Sequence, residues 1–482
     1  MTSSDTAAYA AGDIPRDGGA DPTAPLAIES HGIDVIPESE RYGRPASLFG
    51  VWASANVNFL SFLVGTVLIL IGLTIWQALA VALAGALFSV LTGIIAATGP
   101  ASGTPSEVIT RSMYGVRFNR INVALAGWLV SVCYLALNWA TAAYFAYSLL
   151  DRVGIAVTTP VEVAVIVVIA AVTLAISVYG YGLIMRIYQP MAAVLGLVFV
   201  VMVVYVVRGA DWSYTPQTTL SGTALWATLA AGLTLVASGP LSYTNSADFA
   251  RYLPTGTPVR SVAVWTALGS SVPGVVVTGA GILAATAVDA SDAQAAADVL
   301  LPSWFSPVFI VAVIVGTIAN NAMTAYSSGL ALQSIGVRMR RSRTVLLDGA
   351  VGTTMTLLGL LVWDFLDSVS NAMQLIVAIL APVMSIYLAD MWLRRNRYDG
   401  AELSDQSPGS RFWYAGGVNP AGALALVGGV AVTVLCCAAT VYTGPVASAI
   451  GGIDVSLPVG LILPGAAYLL LMRTWVDRGL TR

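Results

Sequence analysis

The chain has 482 residues, 57% hydrophobic and 10% charged, with a mean hydropathy of +0.81 and a formal net charge of −3. Soluble domains carry about 25% charged residues, so water is not the main solvent for this surface, and the charge carries no signal of a nucleic-acid partner. The single histidine, His31, sits in the polar N-terminal stretch, which excludes a histidine-bearing metal site or a Ser–His–Asp triad inside the membrane.

Residues 1–45 are polar, acidic and rich in Ala, Asp, Gly and Pro, and lack the apolar core of a signal peptide. They are expected to form a disordered cytoplasmic tail. Apolar runs of about 20 residues then recur as far as residue 475, without the period-two alternation of a barrel strand. Twelve spans are predicted, at 48–69, 73–98, 122–149, 160–180, 187–207, 222–246, 259–287, 304–334, 344–362, 369–393, 419–442 and 454–474. The segment 99–120 reads as a turn and a short amphipathic stretch on the membrane surface. The fold class is therefore an all-α membrane protein. Its transport core covers 46–400, and 401–482 holds the last two spans and the C-terminal tail. Cys133, Cys436 and Cys437 fall in apolar runs and suggest small core residues, not disulfides.

All 22 cationic residues are arginine, and the twelve-span reading places 20 of them on the side of the N-terminus, leaving only Arg152 and Arg208 opposite. Asp289, Asp292, Asp298, Asp364, Asp367 and Asp454 gather on the arginine-poor side. By the positive-inside rule both termini are expected in the cytoplasm, at the cell (inner or plasma) membrane.

Four spans carry polar groups at depth. The first has Asn56 and Asn58; the third has Tyr134 and Asn138, one turn apart; the eighth has Asn320, Thr324, Ser327 and Ser328 on one face, bordered by Asn321. The sixth ends in "SGPLSYTNSADFARYLP", residues 238–254. A carboxamide in hydrocarbon costs several kcal/mol unless hydrogen-bonded. These groups are expected to face a solvated cavity; interhelical glue is the alternative for any one of them. Pro240 removes an amide donor and Gly239 tolerates a bend, so the sixth span is predicted to break there. In the first span the break is expected at Asn56–Val57–Asn58 and Gly65. The two lie five spans apart, as a five-plus-five inverted repeat with broken helices 1 and 6 requires. Asp248 and Arg251, near the cytoplasmic end of the sixth span, can pair with each other or with interfacial groups, and act as an anchor or a gate.

These segments resemble the nucleobase–cation–symport-1 family of purine–cytosine permeases. "HGIDVIPESERYGRP" (31–45), "LFGVWASANVNF" (48–59), "SADFARYLP" (246–254), "NNAMTAYSSGLALQSIG" (320–336), "LAPVMSIYLADMWLRRNRYD" (380–399) and "RFWYAGGVNPAGALA" (411–425) are similar to its motifs, in order. The resemblance implies alternating-access import of a flat heterocycle of the cytosine or purine type, coupled to Na⁺ or H⁺, with no resident cofactor or metal. It fits Tyr134, Asn138, Asn320 and Thr324 to the substrate; with the breaks and polar spans the expected substrate residues are Asn56, Tyr134, Asn138, Ser238, Gly239, Tyr243, Asn320 and Thr324, with a cation near Ala55, Thr317 and Asn320. Gly239 offers no ring where relatives have one, so Tyr243 is the nearest substitute. Ile318 and Ala319 stand where sodium-coupled relatives have hydroxyls, yet no carboxylate sits mid-membrane for a proton. A hydantoin, allantoin or vitamin is the alternative cargo. A passive channel would need no broken helix, and an enzyme would need an intramembrane acid, base or metal. The oligomeric state stays open.

Overall fold

The computed structural model describes residues 29, 31–288, 298–362, 365–439 and 441–477, with the side chains of 361–372 and 475–477 excepted. Tail residues 1–28 and the aspartates Asp289, Asp292 and Asp364 lie outside this set. Each expected span coincides with a helical segment. Nine described helices are long and apolar enough to cross a bilayer alone, and the pair Ser47–Asn56 and Phe59–Leu70 makes a tenth crossing bent by 55°. Arg341–Val362 and Pro420–Leu435 occupy the places of the ninth and eleventh spans.

The bend in the first span has a local cause. Asn58 leaves helical geometry at φ −135°, and its Oδ1 accepts the Ser61 N–H at 3.1 Å, so it caps the second half-helix. Its Nδ2 donates to the Ala55 carbonyl at 2.6 Å, closing the first half. Gly65 takes no part in the break. Gly65 and Gly281 instead let the first span and the seventh (Val259–Ala287) touch backbone to backbone. A Cβ on Gly281 would lie 1.9 Å from the Phe62 carbonyl oxygen, and one on Gly65 2.0 Å from that of Thr278.

The sixth span corrects the expected position of its break. Its helix, Gly222–Ser242, continues through Gly239–Pro240 and unwinds over Tyr243–Ser246 before a short turn, Ala247–Ala250. A proline frees the carbonyl one turn before it, so a helix can run past the ring for a few residues. The unwound stretch is held from the second span, Ile75–Ser102: Thr92 Oγ1 donates to the Pro240 carbonyl at 2.8 Å, and Ser246 Oγ donates to the Thr92 carbonyl at 2.8 Å. The two discontinuities, five spans apart, give the five-plus-five inverted-repeat architecture with two further C-terminal helices.

Three further expectations change. The eleventh helix stops at Leu435, not 442; a hairpin pairing Ala438 with Thr443 and Ala439 with Tyr442 follows. The connector around 99–120 does not lie on the surface. Ser106–Ile109 and Arg111–Tyr114 are buried, and the Arg111 guanidinium donates to the Leu403 carbonyl at 3.0 Å. The N-terminal segment packs on the core from residue 29 onward. Ile33 and Ile36 are buried, and the Ile36 N–H donates to the Gly103 carbonyl at 2.9 Å. Cys133, Cys436 and Cys437 are free thiols.

Candidate functional site

Where the two broken helices face the third and eighth spans there is a cavity of about 90 Å³, room for several waters. Asn56, Tyr134, Gly239, Tyr243, Asn320 and Thr324 line it. Its wall on the third helix is Val130, Ser131 and Tyr134, consecutive positions on one helix face. The Tyr134 hydroxyl donates to the Ser238 carbonyl at 3.3 Å, which joins the third span to the sixth just before Pro240. Tyr243 lies edge-on to Trp52, ring centroids 4.6 Å apart, and its hydroxyl donates to Asn56 Oδ1 at 3.3 Å. A Cβ on Gly239 would meet nothing within 4 Å, so the space beside the proline is vacant.

Four of the expected residues are not on the cavity wall. Asn138 lies a turn beyond Tyr134, past the end of the cavity. It is 1% exposed, and neither atom of its carboxamide has a hydrogen-bond partner among the described residues. Ser238 is buried with its hydroxyl turned back onto the Leu235 carbonyl at 2.6 Å; it contributes through its own carbonyl. Ala55 has its carbonyl engaged by Asn58, as above. Thr317 is 1% exposed, with its hydroxyl unpartnered. On the eighth helix, Ser306–Ile335, Asn321 faces away from the cavity: its Nδ2 donates to the Leu135 carbonyl at 2.9 Å. Gly316 allows this helix to approach the first break; a Cβ there would sit 2.5 Å from the Val57 carbonyl oxygen.

Asp248 and Arg251 do not pair with each other. Both are fully buried, and each serves a different network at the arginine-rich end. Asp248 accepts from the Ser106 backbone N–H at 2.8 Å and from Ser327 Oγ at 2.6 Å. Arg251 donates to the Gly32 carbonyl at 2.6 Å, to the Tyr326 hydroxyl at 2.9 Å and to Glu29 Oε1 at 3.0 Å. Glu29 also accepts from the Tyr252 hydroxyl at 2.7 Å, the Tyr326 hydroxyl at 2.9 Å and the Tyr181 N–H at 2.9 Å, and stands 3.7 Å from Arg341. One carboxylate thus ties the arginine-rich ends of the fifth, sixth, eighth and ninth spans. Burial alone would raise the Glu29 carboxyl, but Arg341 and Arg251 outweigh it and hold the group below its usual value of 4.5. A second buried carboxylate, Asp390, accepts from Ser112, Arg394, Tyr398 and Tyr468 and locks the tenth and twelfth spans to the connector.

Sequence reasoning missed Glu29 and Glu107, whose carboxyl is buried beside Asp248. Glu29 stood in a stretch whose composition reads as unstructured, and Glu107 in one that reads as interfacial. The only available signal was a carboxylate just ahead of the 31–45 motif.

The whole arrangement can be set beside known proteins. A family model described as "Permease for cytosine/purines, uracil, thiamine, allantoin" matches residues 35–460. The chain belongs to this family. The permease is 24% identical over 466 residues to the Bacillus subtilis protein YxlA, described as a purine-cytosine permease, covering 93% of this chain and 96% of that one. It superimposes on Mhp1, a nucleobase-cation-symport-1 family transporter, in a closed conformation with bromovinylhydantoin bound. The TM-score is 0.77 at 18% identity, over 93% of this permease and 96% of Mhp1. On the inward-facing conformation of Mhp1 the TM-score is 0.70, again at 18% identity, over 94% and 96% of the two chains. The permease is a multi-pass membrane transporter, not an enzyme.

Proposed function

We propose that this permease imports a nucleobase or a related flat heterocycle by alternating access, coupled to a cation. The observation that carries the reading is the cavity itself, a chamber of mixed polar and apolar lining at the junction of two broken helices, with two carboxamides free of side-chain hydrogen bonds among the described residues (Asn245 and Asn320) and two tyrosines on its wall. A nucleobase is planar and neutral, with donors and acceptors on its edge. Asn320 offers one acceptor and two donors to that edge, and Tyr134 offers a ring to its face. Thr324 and Asn56 supply further polar contacts.

Alternating access needs one group of helices to rock against another around this point. The Glu29 network lies between the cavity and the arginine-rich side and is the contact that such a movement must break. The arginine asymmetry supports cytoplasmic placement of that side and of both termini.

The test is uptake into proteoliposomes, with a thermal-shift panel of nucleobases, ureides and heterocyclic vitamins run with and without Na⁺. The expected result is saturable uptake of a flat heterocycle, stimulated by an inward cation gradient. Uptake indifferent to every cation gradient would make the protein a passive channel. Stabilisation by a hydantoin or vitamin, with none by nucleobases, would move it to the other cargo.

A further inference from the structure

A second, smaller cavity of about 30 Å³ adjoins the first on the arginine-rich side. The two share Ser131, Ser242 and Asn245 as walls, so polar side chains run without interruption from one to the other. Glu107 lies at the far end, 5% exposed, with Oε2 lacking any hydrogen-bond partner among the described residues. Ser106 Oγ and Asn122 Oδ1, both on the wall and both buried, are unpartnered as well. Asp248 Oδ1 accepts from the backbone N–H of Ser106, the residue before Glu107, at 2.8 Å, which sets the Glu107 carboxyl beside that of Asp248. Two carboxylates this close in a buried site strongly disfavour double ionisation, so the pair holds one proton while the junction around it is closed and can lose it only when water reaches the site.

The surroundings decide where that proton sits. Asp248 has the Ser106 N–H and the Ser327 hydroxyl donating to its two oxygens, which suits an anion. Glu107 is faced by its own backbone N–H and by Asp248. The remaining charged and titratable groups against the pair are Arg251 on the sixth span, Tyr326 on the eighth and Tyr387 on the tenth. Arg251 is already engaged by Glu29, Gly32 and Tyr326, and the Tyr387 hydroxyl pairs with that of Thr98 at 3.0 Å. Burial first, and then Asp248, push the Glu107 carboxyl well above the usual carboxylate range.

We propose that the Glu107–Asp248 pair is the coupling site of this permease, and that the ion it takes is a proton. The inference rests on the transport reading given above. One proton passes from water in the substrate cavity to a Glu107 oxygen, and the pair goes from two negative charges to one. When the Glu29 network parts, the proton leaves to water on the arginine-rich side and the second charge returns. The pair is placed to couple this to movement because its partners come from different bodies: Glu107 and Ser106 from the connector, Asp248 from the broken sixth span, Ser327 from the eighth. Deprotonation inserts like-charge repulsion into that junction and so favours the state in which it is open.

Two measurements on the full-length protein test this. Infrared difference spectra of the purified permease at neutral pH should show the carbonyl stretch of a protonated carboxylic acid, and Glu107→Gln should remove it. In proteoliposomes carrying an internal pH dye, substrate addition should drive proton entry in the wild type. Glu107→Gln should retain substrate exchange between the two sides and lose accumulation driven by a pH gradient by at least tenfold. Asp248→Asn serves as the second variant, and should shift the carbonyl band without removing it. The proposal is overturned if the band is absent from the wild type, or persists in Glu107→Gln. It is also overturned if that variant still accumulates substrate on a pH gradient. Those outcomes leave the transport reading standing. A carbonyl band that follows Glu107 in a protein that moves no heterocycle would keep the proton site and remove the cargo.

Discussion

The hydroxyl of Tyr243 donates to Asn56 Oδ1 across 3.3 Å, and the bond joins the unwound stretch of the sixth span to the last residue of the first half-helix, beside its break. Asn56 Nδ2 is turned back onto the Trp52 carbonyl at 2.9 Å, so the carboxamide is held at both ends. The two interruptions of the membrane helices are therefore one polar unit at the wall of the cavity.

Removing that bond separates fit from anchoring. A single neutral hydrogen bond contributes about 1 kcal/mol, so Tyr243→Phe is expected to weaken substrate binding by roughly fivefold. Tyr243→Ala also removes the ring and should cost more than about tenfold. Isothermal titration on the purified variants reads both. Equal affinities for Phe and Ala would show that the ring contributes nothing.

Asn320 and Asn138 should part company. Asn320 faces the cavity, and its replacement by Ala is expected to weaken binding at least tenfold without lowering the melting temperature. Asn138 is buried with no partner for either polar atom, and an unsatisfied buried polar group costs about 1–3 kcal/mol. Asn138→Leu should therefore raise the melting temperature and leave affinity within a few-fold. Loss of binding in a well-folded Asn138→Leu would place this carboxamide on the substrate.

Gly239 and Gly281 make a matched pair. Nothing lies within 4 Å of a Cβ on Gly239, whereas a Cβ on Gly281 would run into the Phe62 backbone. Gly239→Leu should fold normally and bind substrate poorly, because its side chain fills the vacant space. Gly281→Ala should lose about 1–3 kcal/mol of stability as the two helices are forced apart. Thermal melts with and without substrate distinguish the two effects.

Much of this was legible in the residues, and the exceptions have physical reasons. Asn58 signalled the first break because an Asn between two apolar half-helices is a cap. Gly239–Pro240 signalled the second, a few residues early, because proline disturbs the turn before it while the helix ends only where Tyr243 leaves helical geometry. Asn138 stands off the cavity wall because a shared helix face fixes direction but not depth, and the cavity stops a turn short of it. Glu29 could not be found by composition. Its partners Tyr181, Arg251, Tyr326 and Arg341 come from four different spans and meet only in the folded chain.

Acid should release the Glu29 network. Its carboxyl titrates below 4.5 in the folded protein, so the contribution is complete above that pH and is lost as pH falls through the lower folded value. Glu29→Gln should imitate the acid state at neutral pH and cost about 3 kcal/mol or more, since Arg251 and Arg341 lose a buried counter-charge. Hydrogen exchange across residues 31–45 is the readout: it should rise in the variant at neutral pH, and in the wild type only in acid.

Sodium should matter little. The Ala55 carbonyl is engaged by Asn58 Nδ2 at 2.6 Å, and Ile318 and Ala319 bring no hydroxyl to the eighth helix beside it. Substrate affinity in sodium and in choline buffers is expected to differ by less than about threefold, under 1 kcal/mol. A tenfold gain in sodium would restore a metal-ion site at the first break.

The abbreviated eleventh helix has a consequence for the surrounding lipid. Sixteen residues from Pro420 to Leu435 rise about 24 Å, while a typical hydrocarbon layer is about 30 Å thick. Leu424, Val427, Val432 and Leu435 are exposed along its outer side. The acyl chains there must compress, or the small hairpin after Cys437 must fill the missing depth with its own paired backbone. Where the chains compress, this corner fits a thin membrane better than a thick one, and short-chain phospholipids are the choice for reconstitution.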